Sequence, residues 1–480
     1  MKSVWLTEKN VNQYPKINKS CTKNIVVVGG GIAGYLTAFN LSQKGHEVTL
    51  IEAQNLFNGT TGFTTAHIDA LHSLFYKDLQ KMSTDKARLY YWSQKNAIDD
   101  YESLIKKYNI QCDFKRVDSF ILAQQQDVQK LKKEYEALKA IGEHPDFFVS
   151  TDIFGENMCA LKVPFMAIFD PIKFLRALPV NFEIFENSRI TDVDFNNKIL
   201  YCGKIAIKAN KIIIATNYPI INVPGWYFLR MYKSTSYAVS VKSKTELTKI
   251  YQSTSESGIT LRSNNDQLIV GGLDHRTGRV DDTTKYQTLL KKVQTIEQNA
   301  SITHHWSAND CVTFDGIPFI GYYSKKSKDI YVITGFSKYG MANALTASKV
   351  ISDLIEKKPN KYQKLFSPSR TTPLFVFLKN LLSVVSNLVI MPLILPFKSY
   401  KSLKKGEGRI VMYFGSKRAV YKDEKGKYHV CQALCAHLKC QLKFNMVDKT
   451  WDCPCHGSRF DIDGNLLVGP SVKSLKNYPN

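Results

Sequence analysis

The chain has 480 residues, 44% hydrophobic and 12% aromatic, and a formal net charge of +23. That length accommodates two or three domains, and that apolar content suits packed cores rather than disorder. The lysine excess reads as a solvated surface able to steer anions; the sequence has no zinc finger, arginine-rich arm or base-reading motif, which excludes nucleic acid as an expected partner.

The first ten residues lack an apolar core, a cleavage site and twin arginines, so a cytoplasmic location is expected. Ile25-Val-Val-Val28 is a β-branched run of the buried-strand kind. It enters Gly29-Gly-Gly31-Ile-Ala-Gly34, a G-x-G-x-x-G turn, and then a helical apolar pattern at Leu36, Ala38, Phe39 and Leu41. Gly45 closes that helix, and a second strand over 46–51 ends in Glu52. Glycines at this spacing let backbone approach a pyrophosphate, and the helix N-terminus supplies oriented amides. An acid after the second strand accepts from a ribose hydroxyl. Strand, helix, strand and acid in this order predict dinucleotide binding through Gly29, Gly31, Gly34 and Glu52.

Further along, helices are expected over 86–107 and 126–141, with strands at Tyr237–Val241 and Gln267–Gly271. His304 and His305 fall side by side on an expected strand and point to opposite faces, so they do not share a metal. Five of the ten cysteines lie between Cys431 and Cys455; Cys21, Cys112, Cys159, Cys202 and Cys311 are scattered without metal or redox spacing. From Lys361 to Lys405 there is no Asp or Glu, and apolar residues from Leu374 to Val389 recur at helical spacing before Pro392 and Pro396. Three readings stand for 374–397: a helix packed on the preceding domain, an interfacial helix making a peripheral membrane contact, or a span. The span is disfavoured by its short length, Asn387 and the prolines.

The C-terminal region carries Cys435-Ala-His437, fifteen residues, then Cys453-Pro-Cys455-His456. A Rieske 2Fe-2S cluster needs two thiolates on one iron and two imidazoles on the other. Zinc also takes Cys and His, but its usual arms are C-x2-4-C and H-x3-5-H rather than two mixed arms. Cys435, His437, Cys453 and His456 are therefore the expected ligands. The flanks Trp451-Asp-Cys453 and Gly457-Ser458-Arg-Phe460, with the later Gly469-Pro470-Ser471, resemble the Rieske domain over its whole length.

Both ends together resemble bacterial FAD-dependent oxidoreductases of the D-amino-acid-oxidase-like family with a C-terminal Rieske domain. Ala209–Asn217, Ile269–His275, His305-Trp306-Ser-Ala-Asn-Asp310, Asp315–Gly321 and Ile330–Met341 carry that resemblance with the G-x-G-x-x-G unit. It implies an α/β FAD-binding, Rossmann-like fold over 1–360 and an inserted α+β substrate domain near 90–160 and 222–300. The nucleotide-binding pieces would include 170–219 and 306–357; a linker over 361–404 and an all-β Rieske domain over 405–480 would follow. It further implies FAD contacts at Thr61, Thr64, Thr65, Ile190, Ala215, Gly335, Gly340 and Met341, with Tyr237, Lys338 and Tyr339 at the flavin face. His67 stands where a lysine is expected; some related enzymes attach FAD covalently near this point, and a lone histidine is more often structural. Arg262 and His275 are candidates for a substrate carboxylate. Within the Rieske resemblance, Cys440 and Cys455 occupy the places of a disulfide between cluster loops. Ser458 fits a hydroxyl donor to a cluster sulfur, while Phe460 stands where high-potential members often have tyrosine. Lys439 also replaces a usual glycine, so a potential in the upper half of the Rieske range but below its top is expected.

The implied activity is dehydrogenation of an amine or amino-acid-like substrate, with electrons passing through the cluster to a quinone, cytochrome or ferredoxin. Two other readings stand beside it: reverse flow from an external donor, and a non-catalytic carrier or redox sensor.

Overall fold

The computed structural model describes residues 3–6, 14–153, 156–254, 258–279, 282–371, 388, 390–394, 396 and 398–478. The β-branched run lies in strand Cys21–Val28, whose last four residues are buried. Parallel partners Val48–Ile51 and Ile205–Ile214 flank it. The described strands of this sheet run in the order Phe319–Tyr322, Ile330–Thr334, Ile205–Ile214, Cys21–Val28, Val48–Ile51, Glu183–Phe185. Crossover helices bury the faces, which is why these strands read as continuous apolar runs. Helix Ile32–Gln43 starts directly from the glycine turn. A Cβ on Gly34 would come 1.9 Å from the Gly29 carbonyl oxygen, so only glycine lets this helix cross the first strand so closely.

A second, nine-stranded sheet, the one expected to carry the substrate domain, is built from segments lying between those of the first. Its longest pairing joins Met231–Lys242 to Ile302–Thr313 along nearly their full length. This moves two expected boundaries. The segment from Trp306 to Thr313 belongs to the substrate sheet, not to the closing nucleotide-binding portion, because its backbone groups are paired with Met231–Ala238. The insertion also begins earlier than residue 90, since His67 and Ile68 pair with Ile168 and Ala167. Helices Thr84–Lys107 and Val128–Ala140 fall where helical spacing places them.

The C-terminal region is all-β, with an antiparallel sheet of Gly408–Tyr413, Ser416–Lys422 and Tyr428–Gln432 and a four-stranded one from Lys443 to Val468. It seats on the substrate sheet through a buried polar cluster. Arg459 donates to Asp452 at 2.9 Å, Asp448 at 2.6 Å and, across the domain boundary, Ser307 at 3.0 Å. Asp448 also accepts from Ser307 at 2.7 Å and Tyr286 at 2.9 Å. A fully desolvated guanidinium is tolerated because two carboxylates and hydroxyls surround it.

Before the linker, helix Gln363–Phe366 packs on the flavoprotein side, and Arg370 pairs with Asp315 at 2.7 Å. The expected helix over 374–389 lies outside the described residues except for Leu388. Among the described residues, no helix is long and apolar enough to cross a membrane.

Candidate functional site: two cofactor sites on one cavity

A cavity of about 440 Å³ opens at the C-terminal ends of the parallel strands. Gly29, Gly31, Glu52, Thr61, Thr64, Ile190, Ala215, Gly335, Gly340 and Met341 line it. Two predicted residues do not. Gly34 acts behind the wall through helix–strand packing, and Thr65 lines the neighbouring cavity instead, its methyl group against Gly271. A Cβ at Gly29 would meet the Ala215 carbonyl oxygen at 2.5 Å and one at Gly31 would meet Thr61 Oγ1 at 3.2 Å, so the turn is a cradle that side chains would fill. Thr61 Oγ1 accepts from the Ile32 amide at 2.9 Å, fixing the turn against the helix start. Glu52 is half-buried; desolvation pushes its carboxyl up, and the Gly30 and Gln54 amides at 2.6 and 2.8 Å pull it back. Cradle, helix amides and acid fit a dinucleotide.

The same cavity is bounded on its far side by Leu467, Val468, Gly469, Pro470, Ser471 and Val472. Lys233, on the substrate sheet, reaches that loop and donates to the Gly469 carbonyl at 2.8 Å.

This loop reaches the second cluster loop, and through it the four predicted ligands, where the Ser471 amide donates to Ser458 Oγ at 3.0 Å. Cys435, Cys453 and His456 are buried and His437 is half-buried. The two thiols face each other: hydrogen bonding from Cys453 lowers the Cys435 thiol, helped by Ser458, and raises that of Cys453. The imidazole rings stand 5.3 Å apart at 88°. His437 Nδ1 and both nitrogens of His456 are buried without a partner. Burial lowers His437 to about 4 and His456 to about 3, keeping both in the neutral form a metal requires. His437 Nε2 lies 3.0 Å from Asn222 Oδ1; an amide oxygen only accepts, so Nε2 carries the proton and Nδ1 is free to ligate. Cys440 and Cys455 form a disulfide, with Cα atoms 6.5 Å apart, that ties the two loops. Two facing thiols and two orphaned imidazole nitrogens fit a 2Fe-2S cluster of mixed ligation.

The sequence of residues 24–354 matches the model of the FAD dependent oxidoreductase (DAO) family, and residues 395–479 match the Rieske [2Fe-2S] domain. The chain belongs to the DAO family of FAD-dependent oxidoreductases. It is 33% identical to the Rieske 2Fe-2S iron-sulfur protein YhfW of Bacillus subtilis, over 98% of this chain and 96% of that one. Among solved structures, glycine oxidase from Geobacillus kaustophilus superposes with a TM-score of 0.62 at 18% identity, covering 73% of this chain and 100% of that one. L-Proline dehydrogenase from P. horikoshii gives a TM-score of 0.61 at 20% identity, covering 74% of this chain and 98% of that one. These two likenesses concern the fold. The protein is thus an oxidoreductase that binds FAD and a Rieske cluster.

A second cavity, of about 260 Å³, adjoins the first. It shares Thr60, Phe63, Thr64, Ala308, Asp310, Lys338 and Met341 with the first. Tyr237, Lys338 and Tyr339 line it. Arg262 does not: its guanidinium is spent on the carbonyls of Ala66 at 2.6 Å and Phe169 at 3.4 Å and on Asn264 at 3.1 Å. His275 is also elsewhere, stacked on Tyr237 at 5.7 Å beside the Rieske domain. His67 lines the cavity with Nε2 unpaired, and burial, then the Arg262 charge, lower it to about 3.

Sequence reasoning alone does not point to several further residues of the site. Asp69 lines the second cavity and accepts from Leu71, Ser119 and Gln252. Asp310 lies in the quoted His305–Asp310 segment, yet nothing in that run gives the carboxylate a role until folding sets it between Lys338 and Lys233. Lys233 and Asn222 have no local motif at all.

Proposed function

We propose that the protein dehydrogenates an amine or amino-acid-like substrate and passes the electrons through the cluster to an external acceptor. The observation that carries this is the shared wall: the loop 467–472 beside the cluster ligands closes the FAD cavity, and the substrate cavity adjoins that same cavity. When bound, FAD supplies two-electron oxidation of the carbon bearing the amine and the cluster supplies a one-electron outlet, the imine left behind being hydrolysed by water.

The chain's own residues support an amine. Asp69, Asp274 and Asp310 line the substrate cavity against Lys338, and Lys338 is already paired with Asp274 at 2.6 Å. Among the described residues, no arginine lines it. A cationic group finds Asp310, whereas a carboxylate would have to break the Lys338–Asp274 pair. Tyr339, stacked on His72 at 3.5 Å, gives the cavity an aromatic wall.

An anaerobic screen of amines and amino acids tests this, with flavin absorbance and the EPR signal of the reduced cluster followed together. Amines should bleach the flavin and then reduce the cluster. Bleaching only by a reduced protein donor, and by no amine, would contradict the proposal and favour reverse flow.

A further inference from the structure

We infer that the loop 222–228, which caps the cluster histidines, is the docking surface for an acidic one-electron carrier protein, with Trp226 as its anchor. This rests on the proposed exchange of electrons with an external carrier and places where that carrier binds.

The loop faces two ways. Inward, Asn222 holds His437 at 3.0 Å, and the Phe228 ring meets His456 edge-on at 5.9 Å. His456 is 1% exposed, so the histidine edge of the cluster is covered by the protein's own flavoprotein part. Outward, Val223 is 56% exposed and Trp226 52%. Trp226 contacts the Phe228 ring at 5.6 Å, so an unbroken series of rings leads from the surface to a cluster ligand. Trp226 also occupies the left-handed region, φ 52°, which a bulky residue seldom adopts. Large aromatics are the residues that anchor protein interfaces.

Charge names the occupant. From Phe195 to Thr245 the chain has no Asp or Glu, and neither does Val430 to Val447, which contains the first cluster loop. The segments around the histidine edge instead carry Arg230, Arg276, Arg279, Lys439 and Lys443, with Arg279, Lys439 and Lys443 exposed. Arg276 and Arg279 flank Gly278, where a Cβ would touch Pro454 of the second cluster loop at 2.7 Å. Cations on the segments next to an exposed tryptophan steer and seat an acidic protein.

The probe is an acidic c-type cytochrome, a one-electron carrier whose potential suits a Rieske donor, titrated into the holoprotein at low and at physiological salt. Wild type should bind with an affinity that falls as salt rises. Trp226→Ala should weaken binding by about tenfold, Trp226→Phe should restore most of it, and Lys439→Glu should weaken binding and flatten the salt dependence. Equal affinity of wild type and Trp226→Ala, or binding indifferent to salt, would overturn the inference. So would Trp226-dependent binding to quinone-loaded anionic vesicles with none to the cytochrome. Reduction of the cluster from the flavin inside the holoprotein, measured without the cytochrome, should be unchanged in Trp226→Ala. Its absence already in wild type would count against the proposed function and leave the docking result standing by itself.

Discussion

Ser458 is buried, its hydroxyl lowers the Cys435 thiol, and the oxygen itself accepts from the Ser471 amide at 3.0 Å. A donor aimed at ligand sulfur favours the more negative, reduced state. Removing about 1 kcal/mol of such preference is worth roughly 40 mV for one electron. Ser458→Ala should therefore lower the midpoint potential by that order in an EPR-monitored titration, with cluster content unchanged. Phe460, fully buried in the same core, offers no second hydroxyl. Asp310 makes a different prediction. Burial raises its carboxyl to about 6, with Lys338 and Lys233 limiting the rise. The carboxylate is charged above that value and neutral below it. Capture of a cationic amine should therefore weaken as pH falls through about 6, and Asp310→Asn should lower kcat/KM and remove that acid limb from its pH profile.

At the scale of elements, the glycine turn is the part least open to change. Gly34→Ala would drive a methyl group into the Gly29 carbonyl, which is backbone and cannot rotate away. Overpacking of this kind costs about 1–3 kcal/mol or more, so a lowered melting temperature and a loss of FAD from the purified protein are expected together. The turn and the cluster loops were legible in the sequence because each does its chemistry locally: Gly29 to Gly34 and Cys435 to His437 work through neighbours a few positions away. The Cys440–Cys455 pairing was legible only through resemblance. Asn222 and Lys233 were not legible, since Asn222 meets His437 across 215 positions and Lys233 meets Gly469 across 236. Such contacts depend on how one domain seats on another, which no local spacing records. The same cause explains the misplaced boundary at Trp306: its mixed polar strand carries no local mark of its sheet, and only pairing with Met231–Lys242 assigns it.

For the whole molecule, the consequence is a two-domain machine with one shared wall. Arg459 sits at the seam, 2% exposed, between Asp448, Asp452 and Ser307. Arg459→Ala would leave two carboxylates buried without their cation, a loss of about 3–5 kcal/mol, visible as a lower denaturant midpoint for the Rieske domain. The net charge of +23 belongs to this scale too, as a field that draws acidic partners to the molecule. The central claim is that the FAD and cluster sites form one electron path across the cavity wall at 467–472. The most direct test is flash photoreduction of the flavin in the anaerobic holoprotein, with flavin and cluster absorbance recorded on the same sample. Reoxidation of the flavin should match reduction of the cluster in rate and in amount, independent of protein concentration. A reduced flavin that persists beside an oxidised cluster, or a rate that rises with protein concentration, would contradict it.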